Sequence, residues 1–596
     1  MAGLDRGGYV LKPAWLGFAA LTALAFGAVA ASAQPTREYF SALAERGVTP
    51  RQLDDQERDY YRAVFAAIDR RDWTGAAALI DQKPDGLLAP VARAELYLAA
   101  GSPRVELPSI QAWLERGRNL PQAAQLGRLA LSRGAKTMPD LPAERSFYRL
   151  DNQPKRIRPA TIEDGTMPAD IRQAILDRIT GDDPDGARLL LDGIDAVLSP
   201  QARAEWRQRV AWSYYIENMD PQALAIAQTV SMNGSGAWVA EGEWTAGLAA
   251  WRLGDCTQAG EAFERAARGA ANRELRAAAS YWAARAAVRC RNPARSTALL
   301  RAAASDDETL YGMLAAEQLG TELPARLKES DFSASDWRTL GGIENVRIAI
   351  ALAEIGRDDL SSKVLLHQAK IGDPNQYAGL SRLARALSLP STQLYMAYNA
   401  PNGAAPDPAS AYPAPKWAPA NGWQVDPALA YAHTLQESNF RASAVSPANA
   451  QGLMQITPIT VREHAPRLGL SASQVNIFDP ATNLAFGQQN LEMLRDSPAT
   501  GGALPKVMAA YNAGLSPVTR WNSEVRDQGD PLLYMESIPY WETRGYVAIV
   551  MRNYWMYERQ ADAESTSRVA LAQNAWPVFP SRKQGSGRVY LSAGSR

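Results

Sequence analysis

The chain has 596 residues, 46% of them hydrophobic and 21% charged, which is the composition of a folded protein and too long for one ordinary core, so several domains or a repeat array are expected. Lys plus Arg and Asp plus Glu both number 63, so net charge gives no case for a polyanion binder, and nucleic acid is excluded as the expected partner.

The chain opens with a stretch unlike the rest. Arg6 and Lys12 precede an apolar run from Trp15 to Ala30, and Ala31-Ser32-Ala33 supplies the small-x-small pattern that a signal peptidase cuts. The run is short of the roughly 20 apolar residues a membrane span needs. Residues 1–33 therefore read as a signal peptide, with a mature chain beginning near Gln34 and no transmembrane anchor after cleavage. No Cys lies near the cut to carry a lipid.

Residues 34–400 read as an α-helical solenoid. Segments such as DYYRAVFAAIDRRDWTGAAALI and GLAAWRLGDCTQAGEAFERAARGA place Ala, Leu and aromatics at i, i+3, i+4 and i+7, broken by Gly-Asp or Arg-Asp turns. A weak echo of GDCTQAGEAFERAA (254–267) in CRNPARSTALLRAA (290–303) has the period of two-helix repeats. Such units bury their apolar faces only by stacking. The two cysteines, Cys256 and Cys290, fall in this echo, each near a turn, and in an exported chain an even count favours a disulfide between them. The alternative is two small core thiols. His367, His433 and His464 are far apart in sequence, so no metal site is expected, and no cofactor motif is present.

Residues 401–423 carry six prolines and no apolar period, which predicts an extended linker. A second domain is expected over 424–562. Its helices are predicted to begin where a capping residue precedes Pro: Asp426-Pro427, Thr457-Pro458, Asp479-Pro480 and Ser516-Pro517. Residues 563–596 turn polar and lose their period, which predicts a disordered tail.

Within the second domain, Glu437 falls near the last turn of the helix begun at Asp426. No other acid follows it before Glu463. Partial burial and the negative end of the helix dipole both raise a carboxyl pKa, which suits a general acid. Position alone favours the plainer reading, a surface glutamate at a helix end.

Four motifs decide between these. QES at 436–438, GLMQ at 452–455, AYNAG at 510–514 and ETRGYV at 542–547 resemble, in order and separation, the successive motifs of the soluble lytic transglycosylases. Two positions depart from the pattern: Thr434-Leu435 stand where a basic residue is often seen, and Asn449 where Gly is. The resemblance implies a lysozyme-like α+β domain behind the helical solenoid, a periplasmic location, and the glycan strand of peptidoglycan as partner. By motif, Glu437 is the catalytic acid and base, and Ser446, Gln455, Tyr511, Asn512, Glu542 and Tyr546 line the glycan groove or orient the acid. Without the motifs Tyr511 and Tyr546 read as core aromatics and Glu542 as one end of a surface ion pair. Ordinary glycosidases use two acids. The transglycosylase reaction manages with one, because the C6 hydroxyl of the substrate replaces water and leaves a 1,6-anhydro end. A hydrolytic muramidase, with an acid such as Asp479 or Glu492 folded into the cleft, and a glycan-binding scaffold without catalysis are the alternatives.

Overall fold

A computed structural model describes residues 34–45, 49–151, 153–323 and 331–580. The expected signal peptide, and residues 581–596 of the expected tail, lie outside them. The fold is mainly α: a solenoid of helix pairs followed by a lysozyme-like domain.

The Arg-Asp and Gly-Asp turns of the sequence have a common construction. Arg71, Asp182, Gly254 and Arg291 each adopt a positive φ of 57–84°. The next residue (Asp72, Asp183, Asp255 or Asn292) caps the following helix by accepting a backbone N–H three residues on. The left-handed residue reverses the chain and the cap satisfies one of the orphan donors at the new helix start. The cap Asn292 lies one residue later than the sequence echo places it relative to Asp255. Trp238–Arg252, Cys256–Gly269, Arg273–Arg289 and Pro293–Ala304 then stack in succession. Trp244, Trp251, Phe263 and Trp282 interlock between them, with ring centroids 5.2–6.4 Å apart. Cys256 opens one helix and Cys290 caps another; they form a disulfide, with Cα atoms 5.7 Å apart.

The solenoid folds back on itself. Leu53, Phe65, Trp113 and Leu126 share one core with Leu340, Ile350, Leu365 and Leu383, far along the chain. Polar contacts tie the same elements: Glu354 accepts from the backbone of Gln52 and Leu53 at 2.8 and 3.0 Å, Arg357 pairs with Asp69 at 2.7 Å, and Asn345 donates to the Asn119 carbonyl at 2.7 Å. A two-stranded antiparallel ribbon, Phe147–Arg149 against Asn399–Pro401, completes the closure.

Three expected boundaries differ in the structure. The proline-rich stretch is pinned rather than free: the carbonyls of Pro413 and Pro415 accept from Tyr557 and Tyr431 at 2.8 and 3.0 Å, and Tyr412 and Ala414 are buried. Its prolines remove donors, so it offers carbonyls to tyrosines of the domain it borders. Residues 563–580 are folded: Thr566–Ala572 is a helix, Leu571 and Phe579 are buried, and Val578 bridges Ala503. The larger apolar residues there, Val569, Leu571, Trp576, Val578 and Phe579, follow no regular period, and Leu571 and Phe579 reach a core built by other elements. The first helix, Gln34–Glu45, belongs with the second domain: Phe40 packs on Tyr431 and Tyr557, and Thr36 donates to Asp426 at 2.7 Å.

Among the predicted helix starts, Asp426, Thr457 and Asp479 are N-caps with Pro at the first helical position. The fourth is displaced. That helix, Leu515–Glu524, begins after Gly514, whose φ of 88° turns the chain, and Pro517 sits at its third residue, where a backbone N–H has no intrahelical partner to lose.

Candidate active site

The helix Pro427–Ser438 is buried nearly all round, as expected of one whose apolar residues encircle it. It packs against Trp541–Gln560, Gln34–Glu45 and Pro480–Asp496. It ends at Asn439, whose left-handed conformation (φ 51°) stops the helix just past Glu437. Glu437 is therefore held, half-buried, at the end of a rigid element.

Tyr546 donates to Glu437 Oε1 at 2.6 Å, and its Oη is also 2.8 Å from His433 Nδ1. Oε2 of Glu437 has no hydrogen-bond partner among the described residues. Burial pushes the Glu437 carboxyl up to about 7; the Tyr546 hydrogen bond opposes this, and the nearby charge of Glu542 adds to it. Glu437 thus holds or releases a proton near neutrality, which is the requirement for one group to act as acid and then base.

Tyr511 lies parallel to Tyr546, centroids 6.5 Å apart and planes 9° from each other, and it donates to the Met454 carbonyl at 2.8 Å. Burial, reinforced by the Glu437 charge, raises both phenols well above their ordinary value, so both keep their protons. Asn512 accepts from Thr543 at 2.6 Å, tying the helix Leu504–Ala513 to the first turn of Trp541–Gln560. Glu542, in that first turn, is exposed and acts on Glu437 through its charge.

The loop after Glu437 is extended, with Val445 bridging Gln451 and Gln451 bridging Ile456. Ser446 Oγ accepts from Ala450 N at 3.0 Å, and Gln455 Nε2 donates to the Gly452 carbonyl at 2.8 Å, so both shape the loop. Asn483 anchors it from the neighbouring helix, accepting from Met454 N at 2.8 Å and donating to the Gln451 and Ile477 carbonyls at 3.0 and 2.8 Å. Gly452 has φ 76°, and a Cβ there would collide with Asn483 Nδ2. The acids held in reserve by the sequence lie elsewhere: Asp479 caps its helix and Glu492 pairs with Arg495 at 3.6 Å. Sequence reasoning missed His433 and Asn483. The i, i+4 spacing of His433 and Glu437 was the only available signal for the former. No His, Cys, Asp and Glu group among the described residues could hold a metal ion.

Residues 417–533 match the family model of the transglycosylase SLT domain. A putative soluble lytic murein transglycosylase of Haemophilus influenzae is 34% identical over 131 residues, 22% of this chain and 22% of the relative. The soluble lytic murein transglycosylase of Escherichia coli K12 is 32% identical over 133 residues, 22% of this chain and 20% of the relative. The match thus spans about a fifth of the curated relatives' length. The likeness of fold is wider. The 70 kDa soluble lytic transglycosylase of Escherichia coli superposes with a TM-score of 0.52 at 15% identity, covering 88% of this chain and 99% of that one. A 70 kDa soluble lytic transglycosylase solved in complex with bulgecin A gives 0.58 at 16% identity, with the same coverage. The family-model match takes in three of the four motifs, QES, GLMQ and AYNAG, and ends before ETRGYV at 542–547, while the solenoid with its lysozyme-like domain is a fold already known.

Proposed function

We propose that the chain is an exported lytic transglycosylase that cleaves the β-1,4 bond between N-acetylmuramic acid and N-acetylglucosamine in peptidoglycan without consuming water. The observation that carries this reading is the single half-buried carboxyl of Glu437, poised near pH 7 with Tyr546 on one oxygen and the other oxygen unpartnered. Export rests on the leader-like first 33 residues and implies a periplasmic site of action.

In this reading protonated Glu437 delivers its proton to the glycosidic oxygen as the C1–O bond breaks, and the N-acetylglucosamine side departs as an alcohol. The substrate's own N-acetyl group stabilises the positive charge at C1. The resulting carboxylate then takes the proton of the C6 hydroxyl, O6 bonds to C1, and Glu437 is protonated again. Tyr546 stabilises the carboxylate between the two steps. Tyr511, Asn512, Ser446 and Gln455 hold the walls of the groove, and Glu542 stands at its edge.

One observation favours a second reading. A hydrolytic muramidase needs a further acid, and Glu542 acts electrostatically on Glu437 from the exposed start of its helix. Mass analysis of products from purified peptidoglycan separates the two. Anhydro ends support the transglycosylase, reducing ends the muramidase, and no products a glycan-binding scaffold.

A further inference from the structure

His433 is fully buried, one helical turn before Glu437, with its ring 4.6 Å from that of Tyr511. Burial depresses its pKa to about 3, so the imidazole is neutral and carries one N–H. Its Nδ1 meets Tyr546 Oη, and its Nε2 is buried with no hydrogen-bond partner. The polarity of this contact is constrained. Tyr546 has a single proton, and a carboxylate at Glu437 can only accept, so the phenol proton points at Oε1 and Nδ1 must supply the other hydrogen. The opposite tautomer would place an N–H, rather than a lone pair, in the unpartnered position, and orphaned buried N–H groups are the rarer of the two.

We propose that His433 is a positioning residue: as the Nδ1–H tautomer it donates to Tyr546, commits the phenol proton to Oε1 of Glu437, and so confines the acid proton of Glu437 to Oε2, the oxygen left for the substrate. With the chain reversed, protonated Glu437 would donate to Tyr546 and Tyr546 to His433, and the catalytic proton would be held inside the protein. The inference rests on the reading of Glu437 as general acid. The groups facing that acid are Tyr546, which bonds it, Glu542 and Tyr511, which couple to it through charge, and His433, which reaches it through Tyr546.

The test has two readings. The chain has three histidines, so nitrogen NMR of the full protein labelled at histidine resolves the tautomer of His433, assigned by elimination with His367→Gln and His464→Gln. The expected result is a proton on Nδ1 with no titration between about pH 8 and 5; a proton on Nε2 overturns the inference. This needs no substrate, so it is decided separately from the function: a chain that cuts no glycan fails the functional reading instead. Kinetics then compare His433→Leu with His433→Asn, whose amide nitrogen stands near the place of Nδ1. Leu should lower kcat about tenfold, the worth of one hydrogen bond, with KM within about twofold, and move the basic limb of kcat/KM to higher pH. Asn should restore both, and Leu should add nothing in a Tyr546→Phe background. A folded His433→Leu with an unmoved limb, or with the same loss in both backgrounds, would show a role in packing alone.

Discussion

Tyr546 Oη and Glu437 Oε1 lie 2.6 Å apart, a phenol of the helix Trp541–Gln560 donating to a carboxylate at the end of Pro427–Ser438. The bond joins residues 109 apart in the chain and stabilises the charged form of a group that burial would keep protonated. Removing it with Tyr546→Phe should raise the Glu437 pKa by about one unit, as expected for a hydrogen bond to a charged group worth roughly 1.5 kcal/mol. Since the acid form starts the reaction, the basic limb of kcat/KM should move up by the same amount while kcat falls. A pH profile with an unmoved limb would remove Tyr546 from the acid's environment.

Glu437 also predicts a stability effect of definite sign. Its carboxyl is raised to about 7 in the fold from an ordinary value of 4.5. Its contribution is therefore fully present below about pH 4.5 and lost as pH rises through 7. Glu437→Gln, which cannot ionise, should be more stable than wild type at pH 8 by up to about 3 kcal/mol, with the gap closing toward pH 4.5. Denaturant unfolding at the two pH values checks this. A difference that does not depend on pH would contradict the raised pKa.

The disulfide between Cys256 and Cys290 closes a loop of 34 residues across adjacent helix pairs. Restricting the unfolded chain over that length is worth about 3–4 kcal/mol. Cys256→Ala should lower stability by that order. Alkylation of the denatured, unreduced protein should label no thiol; two labelled thiols would refute the bridge.

Residues 418–562 do not hold the whole core of the second domain. Phe40 lies in its core, Leu571 and Phe579 lie beyond its expected end, and Tyr311 and Arg285 of the solenoid bond Glu536 and Asp530 at 2.7 and 2.5 Å. An excised 418–562 should be unfolded by circular dichroism. In the full chain, Phe40→Ala should cost about 3–5 kcal/mol despite its place near the start. A cooperative melt of the excised segment would contradict this.

What the sequence disclosed was local or already marked by motif. Asp426, Thr457 and Asp479 announce helices because a cap and the proline after it act within one turn. Glu437, Tyr511 and Tyr546 stood in recognisable motifs. The pairing of His433 with Tyr546 spans 113 residues and that of Thr36 with Asp426 spans 390, so no window of sequence contains either. The order of 563–580 is likewise tertiary, bought by two side chains entering a core built by others.

In the proposed reaction Glu437 alone serves as acid and then base, with the substrate's C6 hydroxyl in place of water. Digestion of purified peptidoglycan in heavy-oxygen water, by the wild type and by Glu437→Gln, tests it most directly. Wild-type products should be one water lighter than reducing-end fragments and free of heavy oxygen, and turnover should be at least about 10²-fold lower for Glu437→Gln, the contribution of a general acid. Reducing ends carrying heavy oxygen, or comparable release by Glu437→Gln, would contradict it.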